Sequence, residues 1–395
     1  MIHNRTLRRV VVTTVCAAFL AVGATACASA GPAGESPVPA SSEATSNGPM
    51  DPATAAKLDA IIDEALTTTG VPGVIIGVWG PAGDYTRAAG VADTATKAPM
   101  TTDVAMRIGS ATKPFTVTAL LQLVDDGKVA LDDPISKYVD GVTDGGSITL
   151  RQLAGMRSGI PDYSSTEAFV TDYLADPEAG FTPQRLLGYV ADQPLGFTPG
   201  SQFEYSNTNT ILLGLVVEHV TGSSLSDVIT ERILDPLKLD HTRFPEGNEL
   251  PKPHAQGYTN QTADGAVADA TDYNPSWGWA AGAMNSTLDD LRRWVPALVN
   301  GELLSDETQR ERLHAEPLAE GDDSVGYGLG LFNVNGWIGH NGSLPGYKTV
   351  TVYLPEEDTT LVMLVNTDIE GETDLASALM QPITELISPE HVYAG

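Results

Sequence analysis

The β-type segments of this chain fall in two separate blocks, and that division constrains the fold more than any single composition figure. VPGVIIGVWG (71–80) and DYTRAAGVAD (84–93) read as two strands joined by a turn at Pro81-Ala82-Gly83, a hairpin pattern. The second block lies far along the chain. GYGLGLFNV, WIGHNG, YKTVTVYLP and TTLVMLVNT are short, β-branched and bounded by turn residues, so they predict consecutive antiparallel strands. Between the blocks, from about 130 to 275, the pattern is helical patches and long loops, with helices expected at 149–155, 208–221 and 224–234. Further helices are expected at three places. The first carries Leu58, Ile61, Ile62 and Leu66 at helical spacing and stops at Gly70; the second covers 286–299, capped by Ser286 or Thr287; the third covers 374–387. The order predicts an α/β (α+β) fold: one central antiparallel β-sheet built from both chain ends, flanked by helices, with a mainly helical subdomain inserted between its halves.

The N-terminus reads as a targeting segment. MIHNRTLRRV carries arginines and no acid, and an apolar stretch of small residues follows it, too short for a membrane span. Residues 1–26 are therefore expected to be a signal peptide of lipoprotein type. Ala24-Thr25-Ala26-Cys27 resembles a lipobox, in which Cys27 is lipidated and tethers the protein to the outer face of the cell membrane. The alternative is cleavage after Ala28-Ser29-Ala30, which yields a secreted protein. Cys16 falls inside the leader, so no internal disulfide is expected. Residues 27–50 are rich in Ala, Ser, Pro and Gly and read as a flexible linker, with the folded domain over 51–390. Acidic residues outnumber basic ones 51 to 22, for a formal net charge of -29, which argues against a nucleic-acid partner. A monomer is expected.

Three short motifs can carry chemistry. In RIGSATKPFT (107–116), Ser110 and Lys113 stand three apart at a helix start, so they share a face. A serine hydroxyl needs a neighbouring base, and a desolvated lysine has its ammonium form disfavoured. The competing reading is a serine cap beside a surface lysine. In FEYSNTNTILLGL (203–215), Tyr205 and Asn207 can point to one side of an extended segment, where a phenol can shuttle a proton and an amide can hold a carbonyl. The competing reading there is an ordinary helix-cap cluster. In WIGHNGSLPGY (337–347), a strand delivers His340, and Gly342 lets a substrate backbone approach closely. A backbone N–H beyond that glycine and the Ser110 N–H can form an oxyanion hole, while the competing reading is a polar hairpin end. No G-x-S-x-G elbow, H-E-x-x-H, phosphate loop or dinucleotide fingerprint occurs, so no metal and no cofactor is expected.

Taken together, S-x-x-K, Y-x-N and H-x-G look like a variant of the penicillin-recognising set. The chain resembles the serine beta-lactamase-like and penicillin-binding hydrolases, on the side of actinobacterial D-alanyl-D-alanine carboxypeptidases and class C beta-lactamases, over roughly 52–390. RQLAGMRSGIPDY (151–163), which carries no obvious chemistry of its own, and SWGWAAGAMNSTLDDL share in the likeness. The resemblance implies a beta-lactamase/DD-peptidase-like fold and acylation of Ser110 by a small peptide, ester or beta-lactam. It implies that Lys113 and Tyr205 share base and acid roles. It also implies that Asn207 binds a substrate amide, that the Ser110 and Ser343 N–H groups hold the oxyanion, and that Trp277 stands beside the site. His340 stands where many relatives carry lysine; if its charge meets a substrate carboxylate, activity should fall as pH rises through its titration.

The departures from the family pattern concern the substrate. Asn341 stands where threonine or serine is common, with Ser343 as a possible replacement hydroxyl. Phe332 lies near where relatives carry an arginine, and Arg157 replaces a threonine. These favour an esterase or a broader peptidase as the alternative. A beta-lactamase, or less readily a non-catalytic binding relative, completes the alternatives.

Overall fold

The computed structural model describes residues 48–319, 321–369 and 375–394. The leader, Cys27 and the linker as far as residue 47 lie outside the described residues. Gly48 to Met50, expected in the linker, already belong to the fold: Met50 N–H donates to the Asp84 carbonyl at 3.0 Å, and the Met50 side chain is buried.

The main helices are α1 (Pro52–Thr69), α2 (Lys113–Asp125), α3 (Asn207–Thr221), α4 (Leu288–Asn300) and α5 (Leu375–Ile387). The strands of the main sheet are β1 (Gly73–Trp79), β2 (Tyr85–Gly90), β3 (Glu316–Ala319), β4 (Asp322–Tyr327), β5 (Phe332–Val334), β6 (Trp337–Leu344), β7 (Tyr347–Leu354) and β8 (Thr359–Val365). They form one eight-stranded antiparallel sheet in the order β2-β1-β8-β7-β6-β5-β4-β3. The N-terminal hairpin thus joins the C-terminal block through β1 and β8, in register from Val74↔Val365 to Trp79↔Thr360.

Alternation along β1 divides the core. Val74, Ile76 and Val78 share a cluster with Leu58 and Ile62 of α1 and with Met380 and Ile383 of α5. Ile75 and Trp79 belong to the cluster on the opposite face, with Phe115 of α2 and Trp294 of α4, whose rings stack at 3.9 Å. α1 ends where expected, at Gly70 with φ 70, and Thr287 is the cap of α4, accepting from Asp290 N–H.

Two differences from the sequence reading stand out. The strand expected over GYGLGLFNV is split, because Gly330 at φ 74 turns the chain between β4 and β5. β3, with the sequence EPLA, has little β propensity and exists by pairing with β4.

One feature of the sheet makes the site. β6 pairs with β7 from Ile338 to Leu344, but with β5 only from Trp337 to Gly339. From His340 onward its other edge runs beside the 3₁₀ turn Gly109–Thr112 that leads into α2.

Candidate active site

Ser110 lies in that turn and Lys113 opens α2. One turn of helical spacing brings Lys113 Nζ to 2.9 Å from Ser110 Oγ. The lysine is no surface residue: its exposure is 0%, and Nζ also donates to Asn207 Oδ1 at 2.7 Å and to the Ala281 carbonyl at 2.8 Å. Burial disfavours the ammonium and pulls the Lys113 pKa down to about 7, with the charge of Asp162 working the other way. Around neutrality this amine is therefore available as a base, in hydrogen-bond reach of a serine hydroxyl.

Tyr205 and Asn207 arrive from the start of α3. The Tyr205 ring centroid is 4.8 Å from Lys113 Nζ. Asn207 is held on every side. Its N–H donates to Asp162 Oδ1 at 3.2 Å, and its Nδ2 donates to Asp162 Oδ2 at 3.2 Å and to Ser164 Oγ at 3.1 Å. Ser206 occupies the cap position of α3 but makes no capping bond; the Asp162 carboxylate, from a remote loop, receives the first helical N–H instead. Asp162 lies in SGIPDY, the stretch in which sequence reasoning found no chemistry. Nothing in the local pattern marks it, because its partner is 45 residues away.

β6 supplies the backbone of the site. A Cβ on Gly342 would lie 1.9 Å from the Ile108 carbonyl oxygen and 2.9 Å from the Ser110 nitrogen, and one on Gly109 would lie 2.6 Å from the Ser343 nitrogen. Only glycine permits this approach, and it brings the Ser110 and Ser343 amides together across the gap, where they can serve as paired donors. Strand alternation puts His340, Gly342 and Leu344 on the face toward Ser110. It puts Asn341 and Ser343 on the other face, where the cross-strand partner of Asn341, Val350, belongs to the α1/α5 core.

The surroundings of His340 do not meet the condition of a charged ring meeting a substrate carboxylate. His340 is buried, and burial, aided by the Lys113 charge, holds its pKa down to about 3. Its Nδ1 lies 2.5 Å from the Asn341 carbonyl, which can only accept, so Nδ1 carries the proton. Nε2 accepts from the Tyr327 hydroxyl at 3.2 Å. The ring is a neutral imidazole enclosed by aromatics, with centroids of Phe332 at 5.0 Å, Tyr327 at 6.0 Å and Tyr205 at 6.1 Å.

Phe332 lies parallel to Tyr205, centroids 6.2 Å apart at 11°, and continues this wall. The Trp277 ring packs on Phe169 and Tyr173, each at 5.7 Å, and its carbonyl accepts from the hydroxyl of Tyr163, the residue after Asp162. Arg157 pairs with Glu316 at 3.1 Å and donates to the Pro317 carbonyl at 3.0 Å, so it clasps β3. The structure thus gathers Ser110, Lys113, Tyr205, Asn207, His340 and Gly342 with the Ser343 backbone, a set able to carry out acyl transfer through a serine ester.

Comparison with known proteins bears on the fold and the family. Protein flp of Staphylococcus aureus (strain MW2) is 28% identical over 325 residues, 80% of this chain and 63% of that protein, so the chain spans less than two thirds of that relative's length. The D-stereospecific amidohydrolase from Streptomyces sp. superposes with a TM-score of 0.77 at 30% identity, over 85% of this chain and 99% of that one. The D-amino acid amidase from Ochrobactrum anthropi SV3, in its complex with L-phenylalanine amide, does so with a TM-score of 0.75 at 28% identity, over 85% and 99%. The family profile described as Beta-lactamase matches residues 58–381, from within α1 to within α5, and the chain belongs to that family.

Proposed function

We propose that the protein is a serine acyl hydrolase that works through an acyl-enzyme on Ser110 and cleaves D-alanyl-D-alanine peptides of cell-wall type, as a penicillin-binding carboxypeptidase does. The observation that carries the reading is the 2.9 Å contact of Ser110 Oγ with a lysine sealed from solvent. Neutral Lys113 takes the hydroxyl proton as Oγ attacks the substrate carbonyl carbon. The Ser110 and Ser343 N–H groups receive the developing oxyanion, a contribution of about 3–4 kcal/mol per donor in comparable sites. The amine leaves with the proton returned through Lys113 and Tyr205, and water then repeats the sequence to free the acyl group.

A second reading keeps the acyl-enzyme and changes the leaving group to a neutral amide or ester. It is favoured by Phe332 and the uncharged His340, whose ring centroids lie 5.0 Å apart and which stand where the family resemblance implies cationic groups that would meet a substrate carboxylate. The likeness to enzymes named as a D-amino acid amidase and a D-stereospecific amidohydrolase leans the same way. A beta-lactamase shares the first step and differs in the rate of the second. On this reading the enzyme works outside the cytoplasmic membrane as a monomer, anchored through Cys27 or secreted, and what supports the location is the leader pattern of residues 1–27. Membrane fractionation of Cys27→Ser tests the anchor: release into the medium supports it, and unchanged membrane association counts against it.

The deciding experiment is incubation with labelled penicillin and mapping of the adduct, beside assays with a D-Ala-D-Ala peptide, a D-amino acid amide and a nitrophenyl ester. Attachment at Ser110, lost in Ser110→Ala, supports the acyl-enzyme; attachment elsewhere sinks it. D-Alanine release supports the first substrate reading, and amide or ester turnover without it supports the second.

A further inference from the structure

The loop Ser158 to Tyr163 lies across the first turn of α3 and is stitched to it residue by residue. Ser158 Oγ donates to Asn209 Oδ1 at 2.6 Å, Thr208 Oγ1 donates to the Pro161 carbonyl at 2.7 Å, and Tyr163 N–H donates to Thr208 Oγ1 at 3.1 Å. Asp162 stands at the centre of these contacts. Besides the two bonds from Asn207, its carboxylate receives Ser164 N–H at 3.2 Å and Ser164 Oγ–H at 2.7 Å. Burial pushes the Asp162 pKa up, while the bonds from Ser164 and Asn207 and the charge of Lys113 pull it down; with Ser164 Oγ already accepting from Asn207 Nδ2, its own proton goes to Asp162, and these contacts favour the anion. The N-terminus of the 15-residue helix α3 favours that charge as well.

An anionic Asp162 also settles which way the Asn207 amide points. Both Nδ2 protons go to Asp162 and Ser164, which leaves Oδ1 for the Lys113 ammonium at 2.7 Å. A buried cation and a buried anion are therefore linked through one amide. We propose that Asp162 is a positioning residue of the acyl-transfer site: it orients Asn207 to receive Lys113, and it supplies the buried negative charge that balances the Lys113 ammonium.

The groups facing Lys113 make the consequence specific. Ser110 is uncharged, Tyr205 presents its ring, His340 is a neutral imidazole, and Asp162 is the anion whose charge acts on the lysine. Without that charge, burial alone would act, and Lys113 would become a weaker base held by an amide that keeps only its Ser164 tether. The inference rests on Lys113 being the base of the hydrolase proposed above, so the test reads the lysine directly as well as the chemistry.

The full chain is labelled with ¹³C-lysine, and the Lys113 resonance, assigned with Lys113→Met, is titrated by NMR in wild type and in Asp162→Asn. The expected result is a Lys113 midpoint lower in the variant by roughly one pH unit or more. Acylation of Ser110 by a labelled fluorophosphonate should also slow by roughly tenfold or more. An unmoved Lys113 titration in a folded Asp162→Asn overturns the proposal, because a merely structural aspartate would leave it unmoved. If that variant does not fold, Ser164→Ala keeps the charge and removes one tether from Asn207; slower acylation supports the proposal and an unchanged rate overturns it. Wild-type enzyme that does not label at Ser110 sinks the hydrolase reading instead, and the titration alone then decides the link between Asp162 and Lys113.

Discussion

Lys113 Nζ lies 2.7 Å from Asn207 Oδ1, across 94 residues of sequence, and 2.9 Å from Ser110 Oγ within its own turn. The short contact follows from helical spacing. The long one requires α2 and α3 to pack side by side, and that packing removes the lysine from water. Together they convert an ordinary side chain into an amine that titrates at about 7, beside a hydroxyl.

The first prediction concerns pH. The base must be unprotonated, so the rate of Ser110 acylation should rise through about pH 7 and level off above it. Lys113→Arg stays protonated and should lose about 10²–10⁴-fold in acylation rate. A profile without a limb near neutrality would count against Lys113 as the base.

Stability carries the same signature with a definite sign. The folded Lys113 value, about 7, is below the ordinary 10.5, so burial of the charge costs stability in full below pH 7. The cost shrinks as pH rises from 7 to 10.5 and is gone above. Denaturant unfolding at about pH 6 and about pH 9 should show wild type gaining stability relative to Lys113→Met. Parallel curves for the two proteins would contradict this.

Gly342→Ala tests the close approach of β6 to the serine turn. The added methyl would meet the Ile108 carbonyl at 1.9 Å, and backbone on both sides must shift. Acylation should fall by about 10²–10³-fold, the loss seen when one oxyanion donor is displaced. A folded variant with wild-type acylation would show that the Ser343 N–H is not used.

His340 should be silent where histidine ordinarily titrates. Its pKa of about 3 predicts no decline in acylation rate between about pH 6 and 8. His340→Lys places an ammonium among Tyr205, Tyr327 and Phe332 and should lower stability by ~2 kcal/mol or more, read by thermal melting. A stable variant with improved activity on carboxylate-terminated peptides would contradict the neutral assignment.

Phe332→Arg tests the neutral-leaving-group reading. A guanidinium beside Tyr205 offers a carboxylate a partner, so kcat/KM should shift toward a D-Ala-D-Ala peptide relative to the matching amide. An unchanged ratio would remove Phe332 from substrate selection.

Much of this protein is legible in sequence because it rests on local periodicity. The two strand blocks, the stop of α1 at Gly70, the cap at Thr287 and the i, i+3 pairing of Ser110 with Lys113 need only neighbouring residues to be understood. The likeness of three short motifs to a known family identified Tyr205, Asn207 and His340 as well. Other features have no local signal. β3 exists by pairing, the turn at Gly330 interrupts an otherwise plausible strand, and Arg157 turns out to clasp Glu316.

The division is clearest at the charges. Sequence alone determined which titratable side chains the chain owns and which of them lie one helical turn apart. The tertiary structure decided that Lys113 titrates near neutrality, that His340 is uncharged and that Asp162 stands behind Asn207. Protonation depends on how much water a group loses and on which charges come near it. Both are set by packing between segments that are far apart in the chain.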